Sequence, residues 1–129
     1  AKAAIQLQQI FYRMTKYFIE NFNTANFLTE ALYHSKAASY FTNYRVQHFI
    51  FVRTLIEQAQ REGDICSDMN SYEIYTTLQS ILIQPIIIKN NILQQHKNEP
   101  LMDKLKLIDV SSESSLQKRL RVAFKGLRP

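Results

Sequence analysis

The stretch ILIQPIII, residues 81–88, wraps six branched aliphatic residues and a glutamine around Pro85. Whether it is a membrane span, a buried strand or a helix decides the fold. A bilayer span needs about 20 consecutive apolar residues. This run is bounded by Gln79 and Ser80 on one side and by Lys89, Asn90 and Asn91 on the other, so no membrane span is expected. The opening residues AKAAIQLQQI contain neither the long apolar core nor the small-residue cleavage site of a secretory signal. The single cysteine, Cys66, has no partner for an internal disulfide, which suits a reducing compartment. A cytoplasmic protein is expected. With 129 residues, 46% hydrophobic and 12% aromatic, the chain can build one core, and residues 1–129 are read as a single domain.

The neighbours of the stretch decide between strand and helix. Two glycines (63 and 126) and three prolines (85, 100 and 129) are too few turn signals for a chain of short strands. The fold class is therefore all-α, with about five helices. Apolar residues recur at helical spacing in Leu7, Ile10, Phe11, Met14, Tyr17 and Phe18. They do so again in Phe27, Leu28, Ala31, Leu32 and Ala38, and in Phe41, Tyr44, Phe51, Val52, Leu55, Ile56 and Ala59. The third stripe stops at REGD, where Gly63 suits the left-handed position just past a helix end. Asn70 followed by Glu73 forms a capping pair that opens a fourth helix, the one holding ILIQPIII. Ser111, Ser112 or both cap a last helix with the stripe Leu116, Leu120, Ala123, Phe124 and Leu127. Gly126 is expected at its left-handed end, with Leu127 folding back on Val122.

The fourth helix carries two stripes on a straight projection. Ile74, Leu78, Ile81, Leu82, Pro85, Ile92 and Leu93 form the wide one, and Lys89 falls awkwardly on it. Thr76, Ser80, Ile83 and Ile87 form a second stripe, roughly opposite. Leaving Ile83 and Ile87 in water would forgo roughly 1.5–3 kcal/mol each, so a partner surface is expected there, with small Thr76 and Ser80 admitting another helix. The alternative is that this stripe packs under residues 94–112 of the same chain. Pro85 lacks a backbone donor and frees the carbonyl of Ile81, so a kink is expected.

The run FVRTLIEQAQREGDICSDMN (51–70), the apolar helix with a central proline and the amphipathic helix ending GLRP (126–129) together resemble the effector-binding domain of the tetracycline-repressor (TetR) family of bacterial transcription regulators. The resemblance runs from about Ile5 to Pro129. It implies that an N-terminal helix-turn-helix DNA-binding domain is absent from this chain, and that DNA is bound only through that part. It also implies a homodimer, in which residues 71–93 and 113–126 form a four-helix interface with a second chain. Thr76, Ser80, Ile83, Ile87, Leu116, Leu120 and Phe124 are then the interface residues. Finally it implies a pocket among the first four helices for a small effector that alters DNA affinity, in a regulator of the repressor kind.

Polar residues within the apolar stripes mark where such a pocket would lie. His48 falls between Tyr44 and Val52 near the middle of its helix's apolar face, and must find a hydrogen-bond partner or lose its charge. His34 sits at the edge of the second stripe, and Phe11, Met14, Tyr17 and Tyr44 point inward by spacing. Pockets for small molecules are mostly apolar with a few placed polar groups. Phe11, Met14, Tyr17, His34, Tyr44, His48 and Val52 are therefore the expected ligand contacts, for an apolar or aromatic effector. Each also fits plain core, and a helical protein-interaction module with a solid core is the alternative function.

No nucleophile motif or glycine-rich phosphate loop occurs, so no enzyme is expected. His34, His48 and His96 stand on different elements without metal-ligand spacing, and no metal or cofactor is expected. Cys66 is read as inert, and Glu62, Asp64 and Asp68 as a helix end and a cap. The net charge of +5 gathers at Lys118, Arg119, Arg121, Lys125 and Arg128. These read as a solvated face late in a helix rather than a DNA-reading surface.

Overall fold

The residues described in the computed structural model are 2–21, 35–96 and 99–129, with the side chains of 35–61 described from Val46 onward. They form six helices and no strand: α1 (Ala3–Glu20), α2 (Ser35–Arg61), α3 (Ser71–Leu82), α4 (Gln84–Gln95), α5 (Leu101–Leu107) and α6 (Glu113–Gly126). The described residues are all-helical, as the pattern predicts. No helix among the described residues is long and apolar enough to cross a membrane.

Three helix boundaries follow from local chemistry. Gly63 takes φ +81° just past α2, and its N–H bonds to Gln60 O at 3.1 Å while that of Asp64 reaches back to Ala59 O at 3.0 Å. This is the paired Schellman arrangement. Asn70 and Glu73 close a reciprocal capping box, with Glu73 N–H donating to Asn70 Oδ1 at 2.8 Å and Asn70 N–H to Glu73 Oε1 at 3.1 Å. Ser112 caps α6 by accepting from Ser115 N–H at 3.1 Å, and Asp109 Oδ1 accepts from the N–H groups of Ser111 and Ser112.

Other boundaries depart from the pattern. Ala38 and Phe41 belong to one helix, α2, because KAASYFTNY (36–44) contains no glycine or proline to interrupt it. Phe27, Leu28, Ala31 and Leu32 lie outside the described residues. The weakly patterned 101–107 segment forms α5, with Asp103 in its first turn and Lys104 and Lys106 in its last, where each charge suits the helix dipole. Gly126 is the last residue of α6 and not left-handed. Leu127 does not fold onto Val122, which is exposed; it enters the core, and its carbonyl accepts the Cys66 N–H at 2.7 Å.

The expected single helix over 71–93 is two helices meeting at Ile83. Pro85 occupies the first turn of α4, where its missing N–H does least harm. This break overturns the straight projection. Ile83 and Ile87 are 3% and 4% exposed and join the core of their own chain, so their apolar surface does not call for a second one. Leu116, Leu120 and Phe124 are buried in the same core. Only Thr76, half-buried, and Ser80, exposed, remain towards the outside of that stripe. Lys89 loses its awkward position too, for the break turns it to donate to Ile108 O.

The core gathers Leu7, Phe11, Val52, Ile56, Ile74, Leu78, Leu82 and Leu116 between α1, α2, α3 and α6. Two polar ties fasten α1 to the rest. At its start, Ala3 N–H donates to Glu62 Oε1 at 3.1 Å. Along its length, Tyr12 Oη and Lys16 Nζ reach the Glu113 carboxylate at 2.8 and 3.1 Å. With Gln117 donating as well, these bonds hold the Glu113 carboxyl down at about 2.

Candidate functional site

Phe11 from α1, His48, Phe49 and Val52 from α2, and Tyr75 and Gln79 from α3 converge where the three helices meet. Phe11 and Val52 are fully buried, Tyr75 is 4% exposed, and His48 and Phe49 are half-buried. The rings pack mostly edge-to-face. Phe11 stands 6.1 Å from both His48 and Tyr75, and Phe49 stands 5.4 Å from Tyr75 and 5.8 Å from Tyr72. Such contacts suit the quadrupoles of the rings and fix their orientation.

A polar chain runs through this aromatic wall. His48 Nδ1 and Tyr75 Oη are 2.7 Å apart, and Gln79 Nε2 donates to the same hydroxyl at 3.0 Å. The Tyr75 hydroxyl accepts from Gln79 and shares a hydrogen bond with His48 Nδ1 whose donor is set by the imidazole tautomer. Burial pushes the His48 pKa below its ordinary value and favours the neutral form. The wall is thus an apolar, aromatic surface with a few fixed polar groups, the composition that small-molecule sites share.

The expected ligand contacts separate into three groups. Phe11, His48 and Val52 come together at this junction, and Met14 is half-buried against the same core. Tyr17 is 54% exposed, a correction to its expected inward position. The buried face of α1 runs through Leu7, Phe11, Thr15 and Phe18, and Tyr17 lies about 120° round from Phe11 at 100° per residue. His34 lies outside the described residues, as does the side chain of Tyr44.

Tyr75 and Gln79 are the members that the pattern missed. A signal for them exists: Tyr75 lies within the apolar arc of α3, beside Leu78 and Leu82, and Gln79 follows it by one turn. A polar-tipped ring inside an apolar stripe marks a buried hydroxyl that needs partners.

The cationic face of α6 is not uniformly solvated. Lys118, Arg121, Lys125 and Arg128 are exposed, but Arg119 is half-buried and donates to Ser115 Oγ at 2.7 Å and Leu82 O at 3.1 Å. Cys66 is half-buried, and burial raises its thiol pKa, which keeps it the unreactive thiol. A shallow groove of about 480 Å³ lies between the start of α1, the Gly63 turn and the end of α6, bordered by Lys2, Ile5, Asp64 and Arg128. Among the described residues no group of three His, Cys, Asp or Glu is placed to hold a metal ion.

No protein-family model, curated protein or solved structure matches the chain.

Proposed function

We propose that this domain senses a small apolar or aromatic effector and carries homodimerisation for a transcriptional regulator of the TetR kind, acting as a repressor. The observation that carries the reading is the His48–Tyr75–Gln79 chain set in an aromatic wall between three helices. An effector resting there takes apolar contact from Phe11, Met14 and Val52 and exchanges hydrogen bonds with the polar chain. Because Tyr75 and Gln79 sit on α3, a shift in their partners tilts that helix. A ligand changes a conformational equilibrium only by its differential affinity for the two states, and rearranging this chain is a source of that difference. DNA contact belongs to a helix-turn-helix part outside this chain.

Dimerisation, in this reading, uses what the single chain leaves outside: Thr76, Ser80 and exposed Tyr72 on α3, with exposed Val122 on α6. Closed two-fold dimers are the commonest oligomers. Ile83, Ile87, Leu116, Leu120 and Phe124 support this face from beneath.

Two observations favour the second reading, a helical protein-interaction module with a solid core. Ile83 and Ile87 are covered within the chain, and His48 already has Tyr75 as a partner. Native mass spectrometry of the gently purified protein separates the two. A dimer that retains a small molecule, and loses it on Tyr75→Ala substitution, supports the sensor. A bare monomer that takes up no aromatic probe such as naphthol overturns it and leaves the interaction module.

A further inference from the structure

We infer that Arg119 is a latch that holds the α3–α4 break in one conformation and couples it to α6. The inference stands on the geometry of the break and does not depend on what the aromatic wall binds. Pro85 has no N–H to offer Ile81 O. Ile86 N–H turns to Ile83 O at 3.0 Å, and Ile87 N–H shares that acceptor at 3.3 Å. The carbonyl of Leu82, whose side chain is fully buried, is thereby left without its partner one turn on. Arg119 Nη2 fills the gap at 3.1 Å across 37 residues of sequence.

Three features make this more than an incidental contact. The guanidinium lies at the C-terminal end of α3, where the helix dipole favours a cation. It is aimed by Ser115, one turn earlier on α6, through the 2.7 Å bond from Nη1. It forms no salt bridge within 4 Å among the described residues, and its Nε is buried with no hydrogen-bond partner. Of the bonds this half-buried guanidinium makes, the one to Leu82 O joins separate elements, and it is made although the buried Nε–H goes unpaired. Burial lowers its pKa, with Asp109 opposing that from a distance.

The latch closes a ring of contacts. Ile83 N–H bonds to Gln79 O at 2.9 Å, so the break is tied to the turn of α3 that carries the Tyr75–Gln79 pair. Lys89 on α4 donates to Ile108 O, and the Asp109 carboxylate beside it holds the Ser111–Ser112 turn that starts α6. A tilt of α3 therefore reaches α6 through their shared core, through Arg119 and through α4 by way of Lys89. Releasing Arg119 removes the one direct polar link of the three.

Residue-resolved amide hydrogen exchange by NMR on the whole chain tests the latch, using Arg119→Met, which keeps the apolar stem and removes the fork. The expected result is exchange at Ile86 and Ile87 faster by about tenfold or more relative to Phe11 in α1, the mark of local opening rather than global loss of stability. Pro85→Ala supplies the control that a merely structural arginine would ignore. Alanine restores the donor for Ile81 O and lets the helix run on, so Arg119→Met in that background should leave exchange at 86 and 87 nearly unchanged. Should Arg119→Met fail to fold, Arg119→Lys keeps the charge but cannot span Ser115 Oγ and Leu82 O as a planar fork, and a smaller acceleration at the same two amides is expected. Unchanged exchange in the folded variant, acceleration spread equally over α1, or an undiminished effect in the Pro85→Ala background would each overturn the latch.

Discussion

At the α1–α2–α3 junction, the Tyr75 hydroxyl receives Gln79 Nε2 and meets His48 Nδ1 at 2.7 Å. At the α3–α4 break, the Arg119 guanidinium bonds Ser115 and Leu82 but keeps its Nε buried without a partner. Both clusters place polar atoms among apolar side chains, and they differ because of the backbone beneath them. Tyr75 and Gln79 stand one turn apart on an uninterrupted helix, so their tips meet by register alone. At the break, a proline removes a regular donor, and a long side chain from another helix fills one gap with a fork that leaves its buried Nε–H unpaired. The regular segment completes its backbone hydrogen bonding locally and reaches another helix only through the Tyr75 side chain. The interrupted one depends on a distant element for a backbone carbonyl.

Substitutions on the two sides should sharpen that difference. The largest effect is expected at the break: Ile83→Lys places an unpaired charge at a position 3% exposed, and an uncompensated buried charge costs about 3–5 kcal/mol. Chemical denaturation should show that loss, while Ser80→Lys, exposed on the adjacent turn, should leave folding within about 0.5 kcal/mol of the parent. Equal losses in the two would mean that the break does not turn Ile83 into its own chain's core.

A smaller effect is expected in the wall. Tyr75→Phe preserves the rings but removes the hydroxyl that bonds both His48 and Gln79, and losing those two part-buried bonds should cost about 1–3 kcal/mol in the same denaturation assay. A neutral result would show that the polar chain contributes nothing to the junction's stability.

The smallest effect is the pH response of His48. Its folded pKa lies below the ordinary value of 6.5 because burial disfavours the charged ring. As pH falls, the unfolded chain takes up the proton first, so stability is fully present above about 6.5 and declines as pH drops from there towards the lower folded value. A His48→Gln variant should lose that slope when unfolding midpoints are compared between pH 7.5 and 5. A slope that survives the substitution would move the titration to another group.

Much of the architecture was readable from the chain. Gly63, Asn70 with Glu73, and Ser112 each act within a turn of their own position, so their roles as stop and start signals follow from residue type and spacing. The candidate site was readable only in part. His48 stood out as a polar residue in an apolar stripe, and Phe11 and Val52 as its apolar neighbours. Tyr17 misled, because several aromatic residues on one helix cannot all share its buried arc, and Tyr75 was missed because its ring passes for ordinary core until its hydroxyl is traced to a partner. The two-stripe reading of 71–93 failed for a single reason. A projection at 100° per residue assumes one unbroken helix, and α3 ends at Leu82 before α4 begins at Gln84.

The sequence by itself therefore determined an all-helical chain, the ends of α2, α3 and α6 that are capped by near neighbours, and the presence of a disturbance at Pro85. Tertiary structure alone decided that Ile83 and Ile87 face inward, that His48 meets Tyr75 across 27 residues, and that Leu82 O meets Arg119 across 37. Capping energies act over one turn and are carried by residue type. Which faces meet depends instead on the direction each helix takes after a break, and that direction is set by packing all the helices together.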